Sequence, residues 1–248
     1  MTSSLAAIPV AGRLAWWGTA WLRGLIAPDQ LLDAVLADDA AHVVAGEALV
    51  PALAAARNAG ADLVGAAFPA PGDPVGLRGP AAFTTAAVDA GEAVLLLGAG
   101  SGWVPTTVGR AVEWTVHEAA RRPPSDLGEA DRELRVAVRE TADGLARLDV
   151  ARWRPEVADL LHDLRGGAPV PAPPGVPVRA HDLARRALHL AVVVDVALAD
   201  EGAAVSAGEM AARRDALLPL DRAVRRGLTA AFSPDGWPPD PAGTLRAR

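Results

Sequence analysis

The sequence predicts an α+β fold. A small antiparallel or mixed sheet, at about residues 61–118, packs against an N-terminal helical segment and a C-terminal helical layer. Three observations lead there. Strand-like segments cluster between Leu63 and His117 with no full helix between them, which favours antiparallel or mixed pairing over repeated βαβ units. Helix signals fill residues 11–60 ahead of that cluster. From Arg121 onward, apolar residues recur at helical spacing. One domain is expected over residues 1–232, helical at 11–60, sheet at 61–118 and helical at 126–232, with a Pro-rich tail at 233–248.

Each element has its own signal. Residues 13–26 read as a helix carrying Trp16, Trp17 and Trp21. Trp17 and Trp21 stand four apart on one face, so core packing is expected rather than a stacking platform or a membrane-edge anchor. Pro28 and Asp29 open a second helix through Leu31, Leu32, Val35 and Leu36. Residues 47–59 form a third, stopped by Asn58-Ala59-Gly60. Leu63 to Phe68 reads as a strand and Pro69 to Pro80 as a loop. Ala81 to Val88 is a strand or a short helix. Ala93 to Leu97 is the strongest strand signal, and Gly98 to Thr106 follows it as a Gly-rich loop. Val108 to His117 is another strand, with Val112, Trp114 and Val116 on one face.

In the C-terminal half, Asp126 and Glu129 form a capping pair. Leu127, Leu134, Val138, Leu145 and Leu148 then mark an amphipathic stripe. Pro155 starts a short helix to Leu164, and residues 166–177 make a Pro-rich linker. Val178 to Asp200 is a long helix, apolar almost all round in its second half. Ser206-Ala207-Gly208-Glu209 is a capping box for the last helix, which Pro219 is expected to break or kink. The tail from Ser233 reads as loose, with Trp237 placed to pin it.

Composition narrows the chemistry. The chain has 248 residues, 51% of them apolar, and 56 are Ala. All 24 basic residues are Arg, and Lys, Tyr and Cys are absent. That excludes a Schiff-base lysine, a P-loop lysine, a thiol nucleophile, a thiolate metal site and a phenolic acid or base. Carboxylate, imidazole, hydroxyl and guanidinium groups remain. Residues 1–120 hold 5 Arg and 11 acids, whereas residues 121–248 hold 19 of each. Mixed charge of this kind marks solvated helix faces, so nucleic acid is not an expected partner. No apolar run reaches the ~20 residues of a membrane span, and Met1-Thr2-Ser3-Ser4 lacks a basic signal region. The expected location is the cytoplasm and no membrane partner is expected. A homo-oligomer stays open.

Several constellations could carry chemistry. Gly98-Ala99-Gly100-Ser101-Gly102 after the strongest strand suggests a dinucleotide loop, but Pro105 and a β-like segment stand where the crossover helix belongs. A connection between two strands is the preferred account, and no cofactor is assigned. His162-Asp163 and His181-Asp182 match only the dipeptides of an HD-type phosphohydrolase. Arg185 stands between His181 and His189 on one helix face, where it would repel a cation, so no metal site is assigned. Asp195, inside Val192-Val193-Val194-Asp195-Val196, is a candidate buried carboxylate. A structural pair with Arg is preferred there over a general base with a raised pKa. The long Pro/Gly loop 69–80 offers Asp73 and Arg78 as candidate ligand contacts, with Ser101 and Trp103 of the loop 98–106 beside them if the strands adjoin.

Three segments together carry a resemblance: Pro71-Gly72-Asp73-Pro74 with Gly79-Pro80 and Ala90-Gly91-Glu92-Ala93-Val94; Asp149 to Glu156; and Val205 to Arg214. They resemble a conserved, uncharacterised family of actinobacterial proteins. The resemblance implies a high-GC bacterial source, which agrees with the Arg-only, Ala-rich composition, and it implies no function. Two readings stay open. The first is a non-catalytic interaction or scaffold protein of the bacterial cytoplasm. The alternative is a small-molecule-binding protein or enzyme using the loops 69–80 and 98–106. An HD-like metal phosphohydrolase is a distant third.

Overall fold

The fold is built around one apolar helix, α1 (Val10–Leu22), in which every residue from Ala11 to Trp21 is buried. A helix that is buried all round belongs at the centre of a core. The computed structural model describes residues 8–147, 170–199 and 207–237. After α1 come α2 (Pro28–Leu36), β1 (Ala41–Val44), β2 (Glu47–Ala48), α3 (Leu49–Asn58), β3 (Leu63–Ala67) and α4 (Ala81–Ala90). They are followed by β4 (Ala93–Leu97), β5 (Ser101–Val108), β6 (Ala111–Glu118), α5 (Leu127–Arg147), α6 (Val178–Ala199) and α7 (Ala207–Ala231). A single 3-10 turn, Pro234–Gly236, closes the described chain.

The six strands form one mixed sheet in the order β2-β1-β6-β5-β4-β3. The β1–β6 pair is parallel and the other pairs are antiparallel. The α+β class and the mixed sheet agree with the sequence reading. The sheet is wider than expected, because β1 and β2 come from residues 41–48, in the segment read as helical. Their apolar pattern is too short to separate strand from helix, and pairing with β6 decides it.

Alternation along the strands gives the sheet two faces. Val64, Ala66, Val94, Leu96, Trp103, Val112 and Trp114 face α1 and the main core. Ala67, Ala93, Leu95 and Val104 face α4 and pack with Phe83 and Ala87. Gly102 lets Phe83 lie against the sheet, since a Cβ there would come within 2.5 Å of the ring. On the α1 side, Trp16 packs 4.5 Å from the Phe232 ring and stacks on His181 at 6.2 Å. Trp17 and Trp21 are buried, as their spacing predicts. Burial of side chains such as Leu14, Leu31 and Leu53 stabilises the core by about 1.5–3 kcal/mol each.

The outer edge of β3 has no strand partner, and hydroxyl groups satisfy it instead. Thr19 Oγ1 accepts from Val64 N–H at 2.9 Å and donates to Val64 C=O at 3.2 Å. Ala66 N–H donates to Phe232 C=O at 2.9 Å, and Ser233 Oγ donates to Ala66 C=O at 3.1 Å. An open edge invites aggregation, and this one is closed by α1 and by the chain just past α7. Ser233 is fully buried and Pro234 is buried too. Residues 233–237, expected as the start of a loose tail, are therefore packed into the fold, and the rest of that tail lies outside the described residues.

In the C-terminal layer α7 packs against both α5 and α6. A Cβ added at Gly227 of α7 would just touch Ala187, Leu183 and Leu134, so the three helices approach closely there. Asp126 Oδ1 accepts from Glu129 N–H at 2.7 Å, which bears out the capping pair. Pro219 lies inside α7 without ending it. The helix expected from Pro155 to Leu164, the pair His162-Asp163 and the segment Asp149–Glu156 lie outside the described residues. None of the described helices is long and apolar enough to cross a membrane.

Candidate functional site

The strand Leu63–Ala67 contains one glycine, Gly65, on the face away from α1. Its missing side chain leaves a space, and the guanidinium of Arg122 fills it. A Cβ on Gly65 would lie 2.7 Å from Arg122 Nη2, and one on Gly76 would lie 3.1 Å from Nη1. Arg122 comes from the extended chain after β6. Its side chain is 3% exposed. Nη2 donates to Ser233 Oγ at 2.7 Å and lies 3.4 Å from Asp235 Oδ1. Nε and Nη1 have no hydrogen-bond partner among the described residues. Burial pulls the Arg122 pKa down and Asp235 pulls it back up. Guanidinium stays protonated in proteins, so this is a buried cation with incomplete pairing.

Beside Arg122, at the end of the sheet where β4 turns into β5, lies a cleft of about 620 Å3. Leu63, Leu95 and Leu97 supply apolar lining on the α4 side of the sheet. Ser101, Asp62, Arg121, Arg122 and Asp235 supply the polar groups. The turn itself needs Gly98, which has φ +97° and whose Cβ would lie 2.1 Å from Gly60 C=O. The Gly-rich motif is thus explained by close backbone approach, with β5 directly after it and no helix N-terminus to hold a pyrophosphate.

The four candidate ligand residues do not meet at one place. Ser101 starts β5 and lines the cleft just described. Trp103 is 3% exposed, with its ring in the main core and its indole N–H donating to Ser101 Oγ at 3.2 Å. The loop expected at 98–106 is mostly strand β5, which buries Trp103. Asp73 lines a separate cleft of about 430 Å3 with Glu129, Glu133 and Arg226, and pairs with Arg225 at 3.3 Å. Arg78 is exposed, and its backbone C=O accepts from Ala120 N–H at 2.8 Å.

Asp195 is a correction. It lies on the exposed side of α6, not in the core. Its pKa is raised first by partial desolvation and then by Asp221 nearby. The long apolar run misled because α6 presents one side to solvent, where Val192 and Leu198 are also exposed. His181 serves packing: its Nε2 pairs with Val170 C=O at 2.7 Å while its ring stacks on Trp16. Among the described residues no group of three or more His, Asp or Glu is placed to hold a metal ion.

Two polar groupings escaped the sequence reading. Trp114 Nε1 donates to His42 Nδ1 at 3.3 Å, which fixes the proton on His42 Nε2, and that donates to Asp39 at 3.1 Å. Arg13 completes the chain, bonding Asp39 at 2.8 Å and the C=O groups of Val35 and Leu36 at the end of α2. The layout has the histidine and carboxylate of a catalytic triad, but an indole N–H stands where a nucleophile would be. It positions α2 against β1 and β6. Separately, Glu92 Oε2 accepts from Ala11 N–H at 2.8 Å and so caps the N-terminus of α1. Burial raises the Glu92 pKa, against the Ala11 hydrogen bond and the charge of Arg13. Gly65 was the legible signal for the Arg122 site, since a lone glycine inside a strand marks close approach of another group.

Comparison with known proteins adds relatives. Family models described as Rv1486c-like protein, N-terminal domain, and Rv1486c-like protein, C-terminal domain, match residues 11–127 and 128–229. "Uncharacterized protein Rv1486c" of Mycobacterium tuberculosis is 29% identical over 283 aligned positions, covering 91% of this chain and 97% of that protein. "Uncharacterized protein MT1533" of the same species matches with the same identity and coverage. No solved structure gives a significant match.

Proposed function

Because the chain belongs to the Rv1486c-like family of actinobacterial proteins, whose relatives are described as uncharacterized, we propose a function from the site itself. The protein is a small-molecule-binding protein of the bacterial cytoplasm, and it takes its ligand in the cleft at the β4–β5 turn. One observation carries this reading: about 620 Å3 of concave space combines apolar lining from Leu63, Leu95 and Leu97 with convergent polar groups at Ser101, Arg121 and Arg122. Ligand sites of about 300–1,000 Å3 have this make-up, an apolar body with a few placed polar groups.

The cleft puts ligand binding ahead of the scaffold role that the sequence placed first. Ser101 is kept as a contact residue from the original four. An interaction surface is the second reading, favoured by Val136, Val192 and Leu218, which expose apolar side chains on α5, α6 and α7. Nucleotides, acyl-CoA-type ligands and divalent metals, screened by thermal shift, separate the two. A ligand present at 100 times its Kd stabilises the fold by about 2.7 kcal/mol. The expected result is a shift that Leu97→Trp abolishes by filling the cleft. A shift that Leu97→Trp leaves intact removes the reading, and silence across the screen favours the interaction surface.

A further inference from the structure

Arg122 is a buried cation with too few acceptors around it. A guanidinium carries five N–H donors and is stable in a protein interior where carboxylates or phosphates take them. Here Nε and Nη1 have no partner among the described residues. Asp235 is the one described carboxylate within ion-pair reach, and its 3.4 Å separation exceeds the about 2.7–2.9 Å of a good charge-assisted bond. Two glycines on separate elements, Gly65 and Gly76, leave the room this guanidinium occupies. The site is shaped for an arginine whose charge is left partly uncompensated. In the low-dielectric wall of a cleft such a charge acts strongly on an anion.

Arg121 lies on the same cleft and adds positive charge. The apolar lining from Leu63, Leu95 and Leu97 suits a hydrocarbon body. Nε and Nη1 are buried, so an incoming head group meets the guanidinium at Nη2, where Asp235 now sits.

We infer that the cleft takes an organic carboxylate with an apolar body, its head group pairing with Arg122, and that Asp235 is a built-in carboxylate holding that place when no ligand is bound. This rests on the cleft being the ligand site. Asp235 belongs to the short 3-10 turn Pro234–Gly236 and its side chain is partly exposed, so its carboxylate can turn to solvent while the turn stays packed. Exchange of one carboxylate for another keeps the cation paired throughout.

The test uses the full chain at low ionic strength and four probes: hexanoate, hexanol, hexylammonium and inorganic phosphate, measured by calorimetry. Hexanoate is expected to bind more tightly than the other three, because only it combines the charge with the body. Asp235→Asn is expected to tighten hexanoate by about tenfold, since a competing charge is gone. Asp62→Asn is the control: it removes an acid from the same cleft but none from Arg122, and is expected to change hexanoate binding less. Equal binding of hexanoate and hexanol overturns the carboxylate inference while leaving the cleft as a ligand site. Tighter binding of phosphate than of hexanoate overturns the apolar body. An Asp62→Asn effect as large as that of Asp235→Asn overturns the role of Asp235. No binding of any probe removes both the inference and the site beneath it. The wild-type comparison of hexanoate with hexanol decides the inference even if Asp235→Asn folds poorly.

Discussion

The indole N–H of Trp16, on the first helix, donates at 3.0 Å to the backbone C=O of Ala231, 215 positions later. Both ends of this bond are buried. The bond ties the segment matched by the N-terminal family model, residues 11–127, to the chain just past the segment matched by the C-terminal one, residues 128–229. Two further bonds reach the same stretch, Ala66 N–H to Phe232 C=O and Ser233 Oγ to Ala66 C=O, and Phe68 N–H to Thr229 Oγ1 joins the two matched segments directly. The main apolar core also runs from Ile8 through Val64 and Trp114 to Leu134, Leu183 and Phe232. We propose that the two segments unfold as one unit. Five of the seven Trp lie at residues 16–114, while the long helices α5, α6 and α7 dominate far-UV circular dichroism. Urea transitions followed by the two signals are expected to coincide. Trp16→Phe is expected to shift both together, by about 2 kcal/mol, through a lost hydrogen bond and a partial cavity. Separate midpoints refute the single unit.

Much of this was readable from residues alone. The helix carrying Trp17 and Trp21, the strand Ala93–Leu97 and the capping pair Asp126–Glu129 are set by local pattern, and local pattern survives folding. Strands β1 and β2 were missed because four and two residues carry too little periodicity, and β6, the strand that draws β1 into the sheet, is more than sixty residues away. Trp103 looked like a loop residue because the glycines before it hide the start of β5. The candidate site was harder still. Arg122 is one of 24 arginines, and nothing in Arg121-Arg122-Pro123-Pro124 marks it as buried. Its environment is assembled from Gly65, Gly76, Ser233 and Asp235, four positions spread over 170 residues. Only Gly65 left a local trace.

That trace gives a direct test of the packing. Gly65→Ala places a methyl 2.7 Å from Arg122 Nη2, so the guanidinium must shift, which disturbs its bond to Ser233 Oγ. The expected loss is about 1–3 kcal/mol, the usual result of disturbing a buried polar contact. In an Arg122→Leu background the same Gly65→Ala change meets no guanidinium and is expected to be milder by at least about 0.5 kcal/mol. Urea unfolding of the four proteins measures this coupling. Strict additivity would show that Arg122 does not occupy the Gly65 space in solution.

Protonation of His42 supplies a pH test. Burial lowers its pKa from the ordinary 6.5, ahead of the opposing hydrogen bond and charge of Asp39. The ring is neutral in the fold, with Nδ1 accepting from Trp114. The unfolded chain therefore binds more protons below about pH 6.5, and stability falls as pH drops. Above that pH the contribution is complete. Glu92 acts in the opposite direction, because its raised pKa makes the folded state bind more protons at and above its ordinary 4.5. The two are separated by comparing the protein with His42→Gln, which cannot titrate. The variant is expected to be less stable at pH 7.5 and to lose less stability between pH 7.5 and 5.5. Parallel pH profiles in urea unfolding would show that His42 does not carry the acid sensitivity.

Asp195 stands exposed on α6 where its sequence context predicts burial. A carboxylate buried in the run Val192–Leu198 would unbalance its surroundings on removal. Loss of one partner from a buried ion pair costs about 3–5 kcal/mol. In the structure the residue is exposed, and its pKa is raised first by partial desolvation and then by repulsion from Asp221. Asp195→Asn removes that repulsion and disturbs no hydrogen bond among the described residues. The expected change in unfolding free energy is within about 0.5 kcal/mol, as for other surface substitutions. Any change should favour the variant at neutral pH and shrink in acid, as Asp195 takes up a proton. Thermal melts of the two proteins at pH 7 and pH 4 decide it. A loss of several degrees at pH 7 would put Asp195 back in the core.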